Sequence, residues 1–268
     1  MSASALRIHV DGVGLWAAHW PHFHALREQL AGQAISPTES TRPPAERLPA
    51  NERRRAPESV LLAIEVAGQA IDMSGADQTQ LACIFASAHG DHVITDYMCA
   101  TLARSPTELS PTRFHNSVHN APVGYWTIAI GCHAPSTAIC AGHTSFGAAL
   151  LEAASQVKAD QRPVLLVCSD IAGSGALNEL TGCRQSFGCA LVLSPEKGKR
   201  SVASLELRVT AGETPAMAPP SATLPEWYTD NASARALPLL TLLAMDGGRA
   251  ALALAPSMHL DVHTEIIQ

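Results

Sequence analysis

Charge and aromatic rings are both scarce in this chain: Asp, Glu, Lys and Arg supply only 16% of its residues and Phe, Trp and Tyr only 4%. With 47% hydrophobic residues beside so little charge, the sequence has the makings of a sizeable core and excludes a largely disordered chain. A net charge of −6 and a pI near 6.0 give no electrostatic footprint for nucleic acid or an anionic lipid surface. The one basic run, Arg53-Arg54-Arg55, sits between Glu52 and Pro57-Glu58 and reads as a solvated loop entering a helix. No apolar run reaches the roughly 18 residues of a membrane span. The N-terminus MSASALRIHVDGVG lacks the cationic start and long apolar stretch of a signal peptide. The expectation is a cytoplasmic protein with neither a nucleic acid nor a membrane as partner.

Several chemical signatures are missing as well. Seven cysteines (Cys83, Cys99, Cys132, Cys140, Cys168, Cys183, Cys189) form no CxxC pair and are odd in number. Most lie in apolar stretches and read as small buried hydrophobes in a reducing compartment, not as a disulfide frame. Twelve histidines cluster as HWPHFH (His19, His22, His24) and HGDH (His89, His92), without acidic or Cys partners at zinc-site spacing and without HExxH, so no metal is expected. There is no GxxxxGK[ST]; GVG at 12–14 lacks the third glycine of a dinucleotide fingerprint; and GHTSFG (142–147) places its serine out of register for GxSxG. A P-loop enzyme, a dinucleotide enzyme and an α/β-hydrolase are thereby disfavoured, and no cofactor is expected.

What is present is an alternation of apolar patterns. Residues 6–16 read as a strand followed by a glycine-bracketed turn, and 22–32 as a helix ended by Gly32. Residues 33–57, with five prolines, read as a long surface loop, and 58–71 as a helix with Ser59 as a candidate cap. A buried strand is expected in 80–91, a helix in 92–103, a loop and helix in 105–131, a strand at PSTAIC, a helix at 145–159 and a buried strand at 162–170. Residues 186–195 and 201–212 read as antiparallel neighbours at the sheet edge, 213–231 as a linker, and the tail as a helix with one or two strands around Asp246-Gly247-Gly248. Together these predict an α/β fold on a mostly parallel sheet with an antiparallel part.

The order of motifs adds a resemblance. HVDGVGLW, ACIFASAHGD, SPTRFHNSVHNAPVGYWTIAIGCHAPSTAICAGHTSFGAALLEAA, VLLVCSDIAG and FGCALVLS follow one another as in the N-terminal half of a β-ketoacyl synthase of the thiolase superfamily. Asn120, Gly124, Pro135, Ser136, Ala153, Ala154, Asp170 and CALVLS (189–194) stand where that family has its own marks. The SPTRFHNSVHN stretch is most similar to short chain-length-factor-like subunits of aryl polyene type II polyketide systems. The resemblance implies a thiolase-like fold over 1–212, with 213–268 a short extension packed on it and no second catalytic half. Counting without gaps from Pro135-Ser136 to Ala153-Ala154 places His143 at the family's nucleophilic cysteine, and an imidazole cannot form the acyl thioester of condensation. Cys140 reads as a core cysteine on the preceding strand, and His259 and His263 as exposed tail residues.

The resemblance therefore implies a non-catalytic subunit that pairs with an active ketosynthase as a heterodimer, meets an acyl carrier protein through that complex, and shapes the acyl tunnel. Its tunnel and interface residues would be Phe114, His115, Ser117, His119, Asn120, Cys140, Gly142, His143 and Phe146. The alternative is a small acyltransferase or hydrolase using His143 as general base on an acyl thioester.

Overall fold

The computed structural model describes residues 5–33, 42–173, 175–215 and 225–267. Its centre is an eight-stranded mixed sheet. The first strand, β1 (Leu6–Ala17), does not stop at a turn: Gly12 and Gly14 remain in the strand, opposite Val192 and Ala190. These glycines serve packing. A Cβ on Gly12 would lie 2.1 Å from the Ala70 carbonyl oxygen, and one on Gly14 2.0 Å from that of Val66. Only a residue without a side chain lets the helix that carries Val66 and Ala70 rest its backbone on the strand.

After α1 (Phe23–Leu30), residues 34–41 of the expected loop lie outside the described residues, and α2 (Ala50–Arg55) occupies part of the remainder, with the arginine run forming its exposed last turn. α3 (Glu58–Ser74) is the helix that lies on β1. Its cap is not Ser59, because Pro57 holds the N-cap position and Ser59 Oγ instead donates to Asp91 Oδ2 at 2.7 Å. The chain continues through β2 (Ala82–Ala86), α4 (His92–Arg104), α5 (Pro111–Asn116), α6 (Ala121–Ile130), β3 (Ser136–Ile139) and α7 (Ser145–Asp160). Then come β4 (Val164–Asp170), α8 (Gly175–Thr181), β5 (Phe187–Ser194), β6 (Ala203–Ala211), α9 (Leu237–Ala244), β7 (Gly248–Ala255) and β8 (Met258–Ile266).

Strand order is β3-β2-β4-β5-β1-β6-β8-β7. Two pairings are parallel (β2 with β3 and with β4) and five are antiparallel, so the sheet is mostly antiparallel rather than mostly parallel. The reason is the place of β1. It inserts between β5 and β6, which are therefore not neighbours and lie inside the sheet, away from its edge. The Asp246-Gly247-Gly248 turn joins α9 to β7, while the β7–β8 hairpin turns at residues 256–257.

α3 and α6 cover one face of the sheet; α7, α1 and α9 cover the other. α7 buries Phe146, Ala149, Leu150, Ala153, Ala154 and Val157, the stripe its helical period dictates. It comes so close to β7 that a Cβ on Gly147 would stand 2.3 Å from the Ala253 carbonyl oxygen. Both sheet faces are thus filled while β3 remains an edge.

Candidate functional site

β3 is an outer strand, and Ser136 and Thr137 on it are exposed. Beyond Ile139 the chain turns sharply into α7. Gly142 takes φ +54, the left-handed region that glycine enters without strain, and residues Gly142–Thr144 form a 3-10 turn. Ser145 closes the corner from inside. It is 1% exposed; its hydroxyl donates to Gly142 O at 2.7 Å and accepts from the Ala141 N–H at 3.0 Å. His143 stands outside the corner, exposed to solvent.

A second imidazole meets it there. The His89 ring lies edge-on to His143, with centroids 6.2 Å apart and planes at 81°. His89 is also 4.9 Å from the ring of His92 at the start of α4. His92 is 4% exposed and its Nδ1 has no hydrogen-bond partner. Burial, with His89 beside it, pushes the His92 pKa below the ordinary histidine value, against the pull of Asp170 and Asp91.

The loop that carries these histidines is held by Asp170 at the end of β4. Its Oδ1 accepts from Ser87 Oγ (2.7 Å) and the Ala88 N–H (2.8 Å), and its Oδ2 from Ser233 Oγ (2.6 Å) and the Ser233 N–H (3.1 Å). Asn231 Nδ2 donates to the Asp170 carbonyl at 3.0 Å. One buried carboxylate therefore ties the β2–α4 loop, β4 and the segment before α9 together. Asp91 does similar work at the N-cap of α4, accepting from Ser59 Oγ and the Ile94 N–H.

Two hollows share Val118. A cavity of about 20 Å³, lined by Ser87, Asp91, Asn116, His119 and Ser169 among others, has room for about one water. His119 Nε2 reaches the Ser87 carbonyl at 2.9 Å beside it. The larger hollow is a groove of about 470 Å³ along α6, with Val118, Gly124, Tyr125, Ile128, Leu48 and Pro49 as its apolar wall and His115, Asn120 and Glu52 as polar members.

The structure gathers some expected residues and separates others. His143, Gly142 and Cys140 share the corner, and His115 and Asn120 line the groove. Phe114 is 56% exposed on α5, and the partly buried Ser117 donates from Oγ to the Phe114 carbonyl at 2.8 Å. Cys140 is not a core cysteine: it falls past the end of an edge strand with nothing packed outside, so it is exposed, its Sγ 3.1 Å from the Ala88 carbonyl. Phe146 is not a surface group. One residue into α7 it turns toward the sheet and is 1% exposed in the core.

His259, expected exposed, is 5% exposed on β8 with Nδ1 3.3 Å from the Gly212 carbonyl, because β8 is paired on both sides; His263 is partly buried. The groove along α6 went unread, although APVGYWTIAI is apolar all round and some of that surface had to face outward. Also unread was the approach of His89 to His143, which no local pattern specifies.

Among the described residues no group of three or more His, Cys, Asp and Glu is placed to hold a metal ion. Three of the buried thiols are disfavoured as thiolates. Burial pushes Cys83 and Cys183 up to about 12, and it raises Cys168 as well. Cys99 and Cys140 are the exposed thiols. No described helix is long and apolar enough to cross a membrane.

Residues 27–242 match the family described as Beta-ketoacyl synthase, N-terminal domain. The chain belongs to that family. No curated protein matches the sequence. Among solved structures, this β-ketoacyl synthase domain is similar to a chain of the ketosynthase (ApeO) in complex with its chain length factor (ApeC) from Xenorhabdus doucetiae. The TM-score is 0.70 at 19% identity, over 96% of this chain and 99% of that one. It is similar also to the ishigamide ketosynthase/chain length factor, with TM-score 0.64 at 12% identity over 99% and 100% of the two chains. A third likeness is to AntDE:AntF, a type II polyketide synthase acyl-carrier protein in complex with its ketosynthase, with TM-score 0.73 at 13% identity over 98% and 100%. At these identities the likeness establishes the fold, the thiolase-like α/β architecture of ketosynthases.

Proposed function

We propose that this ketosynthase-family chain is a non-catalytic, chain-length-factor-like subunit that pairs with an active β-ketoacyl synthase and shapes the acyl tunnel of a cytoplasmic aryl-polyene-type polyketide system. The observation that carries the proposal is the corner itself. It has the glycine, the tight turn and the helix start of a nucleophile elbow with an imidazole, His143, on it; gapless counting assigns that position to the family's thiol, which condensation needs, and this supports the reading. Cys140 does not replace it, since it lies before the turn, just past the end of an edge strand, with its sulfur against the Ala88 carbonyl. An acyl carrier protein would deliver its chain to the paired ketosynthase. The present chain would contribute wall, and the groove along α6 is the surface suited to that role.

Gly124 tests this directly. A Cβ there meets nothing within 4 Å, so Gly124→Phe adds bulk to the groove without disturbing the backbone. Co-purified with an active type II ketosynthase as partner, the variant should give shorter products by mass spectrometry than the native pair. Unchanged products, or failure of the native chains to co-purify, would remove the reading. The His143 hydrolase alternative predicts acyl-thioester turnover by the chain alone, abolished by His143→Ala; we expect no turnover from either protein.

A further inference from the structure

The surface around the corner is unusual in charge. From Leu109 to Leu151 there is no Asp or Glu, in a chain whose net charge is −6; the only formal charge in this stretch is Arg113, which sits over the Tyr97 ring at 3.9 Å. What this stretch carries in place of charge is histidine. His143 faces His89 on the β2–α4 loop; next along that loop, Gly90 lines the small cavity together with His119; Val118 lines both hollows, and the groove holds His115. Beside this row lie the exposed apolar side chains Phe114, Val118 and Ile128, the last 84% exposed, and the unpaired edge of β3. A face with few charges and large apolar groups loses little by desolvation when a partner covers it, and neutral imidazoles share that property. Imidazolium does not.

Among the described residues, no carboxylate forms an ion pair with either of the two facing rings. Asp91 and Asp170 are buried and engaged by hydrogen bonds from Ser59, Ile94, Ser87, Ala88 and Ser233. Asp96 on α4 lies against Gly175, and α8 adds Glu179. β7, packed on the corner, carries Arg249 as its one charged residue, and α7 has no charge before Glu152. His92, Cys140 and His119 are the further titratable groups; His119 shares the small cavity with Asp91, and His115 shares the groove with Glu52.

We infer that this face is a proton-gated docking surface: it receives the partner ketosynthase with His89 and His143 neutral, and protonation of that pair releases it. The inference rests on the paired-subunit reading above and adds its regulation. Two cations edge-to-face at 6.2 Å repel each other, and under a partner neither keeps its water.

The test measures the dissociation constant of the full chain with the active type II ketosynthase used in the co-purification above, from about pH 7.5 to about pH 6.0, with far-UV circular dichroism recorded at each step. Each imidazole that must be neutral in the complex weakens binding up to about tenfold per pH unit below its pKa. The native pair should therefore bind more than about fivefold more weakly at the acid end. The H89Q/H143Q variant, whatever its affinity at neutral pH, should vary by less than about twofold over the same range. A complex whose affinity is flat in the native pair, or equally pH-dependent in the double variant, overturns the gate and leaves the pairing standing. Absence of any complex at every pH overturns both.

Discussion

Asp170 shows how much rests on one side chain. Four donors from two separate segments converge on its carboxylate, which is 3% exposed, and the loop they secure presents His89 to His143. Asp170→Asn keeps the size but turns one acceptor into a donor, leaving buried N–H and O–H groups without partners. We expect a loss of about 3–5 kcal/mol by urea unfolding, and a smaller loss of about 1–2 kcal/mol for Ser87→Ala, which removes one donor to Asp170 and the acceptor of the Gly90 N–H. His92 sets a pH limit. Its folded pKa is lowered, by burial first, so below the unfolded value near 6.5 the unfolded chain binds a proton that the folded chain refuses. Stability is insensitive to this group at higher pH and falls as pH drops through that range, by at most about 1.4 kcal/mol per pH unit. His9, also lowered chiefly by burial, acts in the same direction. Urea midpoints for the native chain should fall between about pH 7 and about pH 5.5, and less steeply for His92→Gln.

At the scale of elements, backbone proximity decides where side chains are allowed. α3 lies against β1 through Gly12 and Gly14, and an added methyl at Gly14 would collide with the Val66 carbonyl at 2.0 Å. Neither backbone can yield without disturbing the sheet. Gly14→Ala is expected to cost at least about 3 kcal/mol in denaturant unfolding. Gly124→Ala on α6 has open space around its Cβ and should instead gain up to about 1 kcal/mol from helix propensity. Sequence periodicity located α3, α7 and β4 well, since a buried helix and a buried strand each need their apolar residues at a fixed local spacing. It read Gly12 and Gly14 as a turn, because a glycine required by a helix overhead looks the same in one dimension as a glycine required by a bend.

For the whole molecule, the asymmetry between filled and open surfaces is the functional fact. Both sheet faces are covered, yet among the described residues β3 has no outer neighbour, and Phe114, Val118 and Ile128 remain exposed. Ile128→Glu should leave the isolated chain within about 0.5 kcal/mol of the native stability, as exposed positions do. The same change should abolish co-purification with the ketosynthase subunit; retention of the complex would separate α6 from the docking surface. The sequence alone determined the alternation of helices and strands, the Gly142 corner with His143 on it, and the motif order that matches the ketosynthase family, because these depend on local sterics, spacing and chain order. The tertiary structure decided that β1 enters between β5 and β6, that Cys140 lies outside and Phe146 and His259 inside, and that His89 meets His143. Those outcomes depend on which distant segment each strand pairs with, a choice made by the burial of whole faces and carried by no single stretch of sequence.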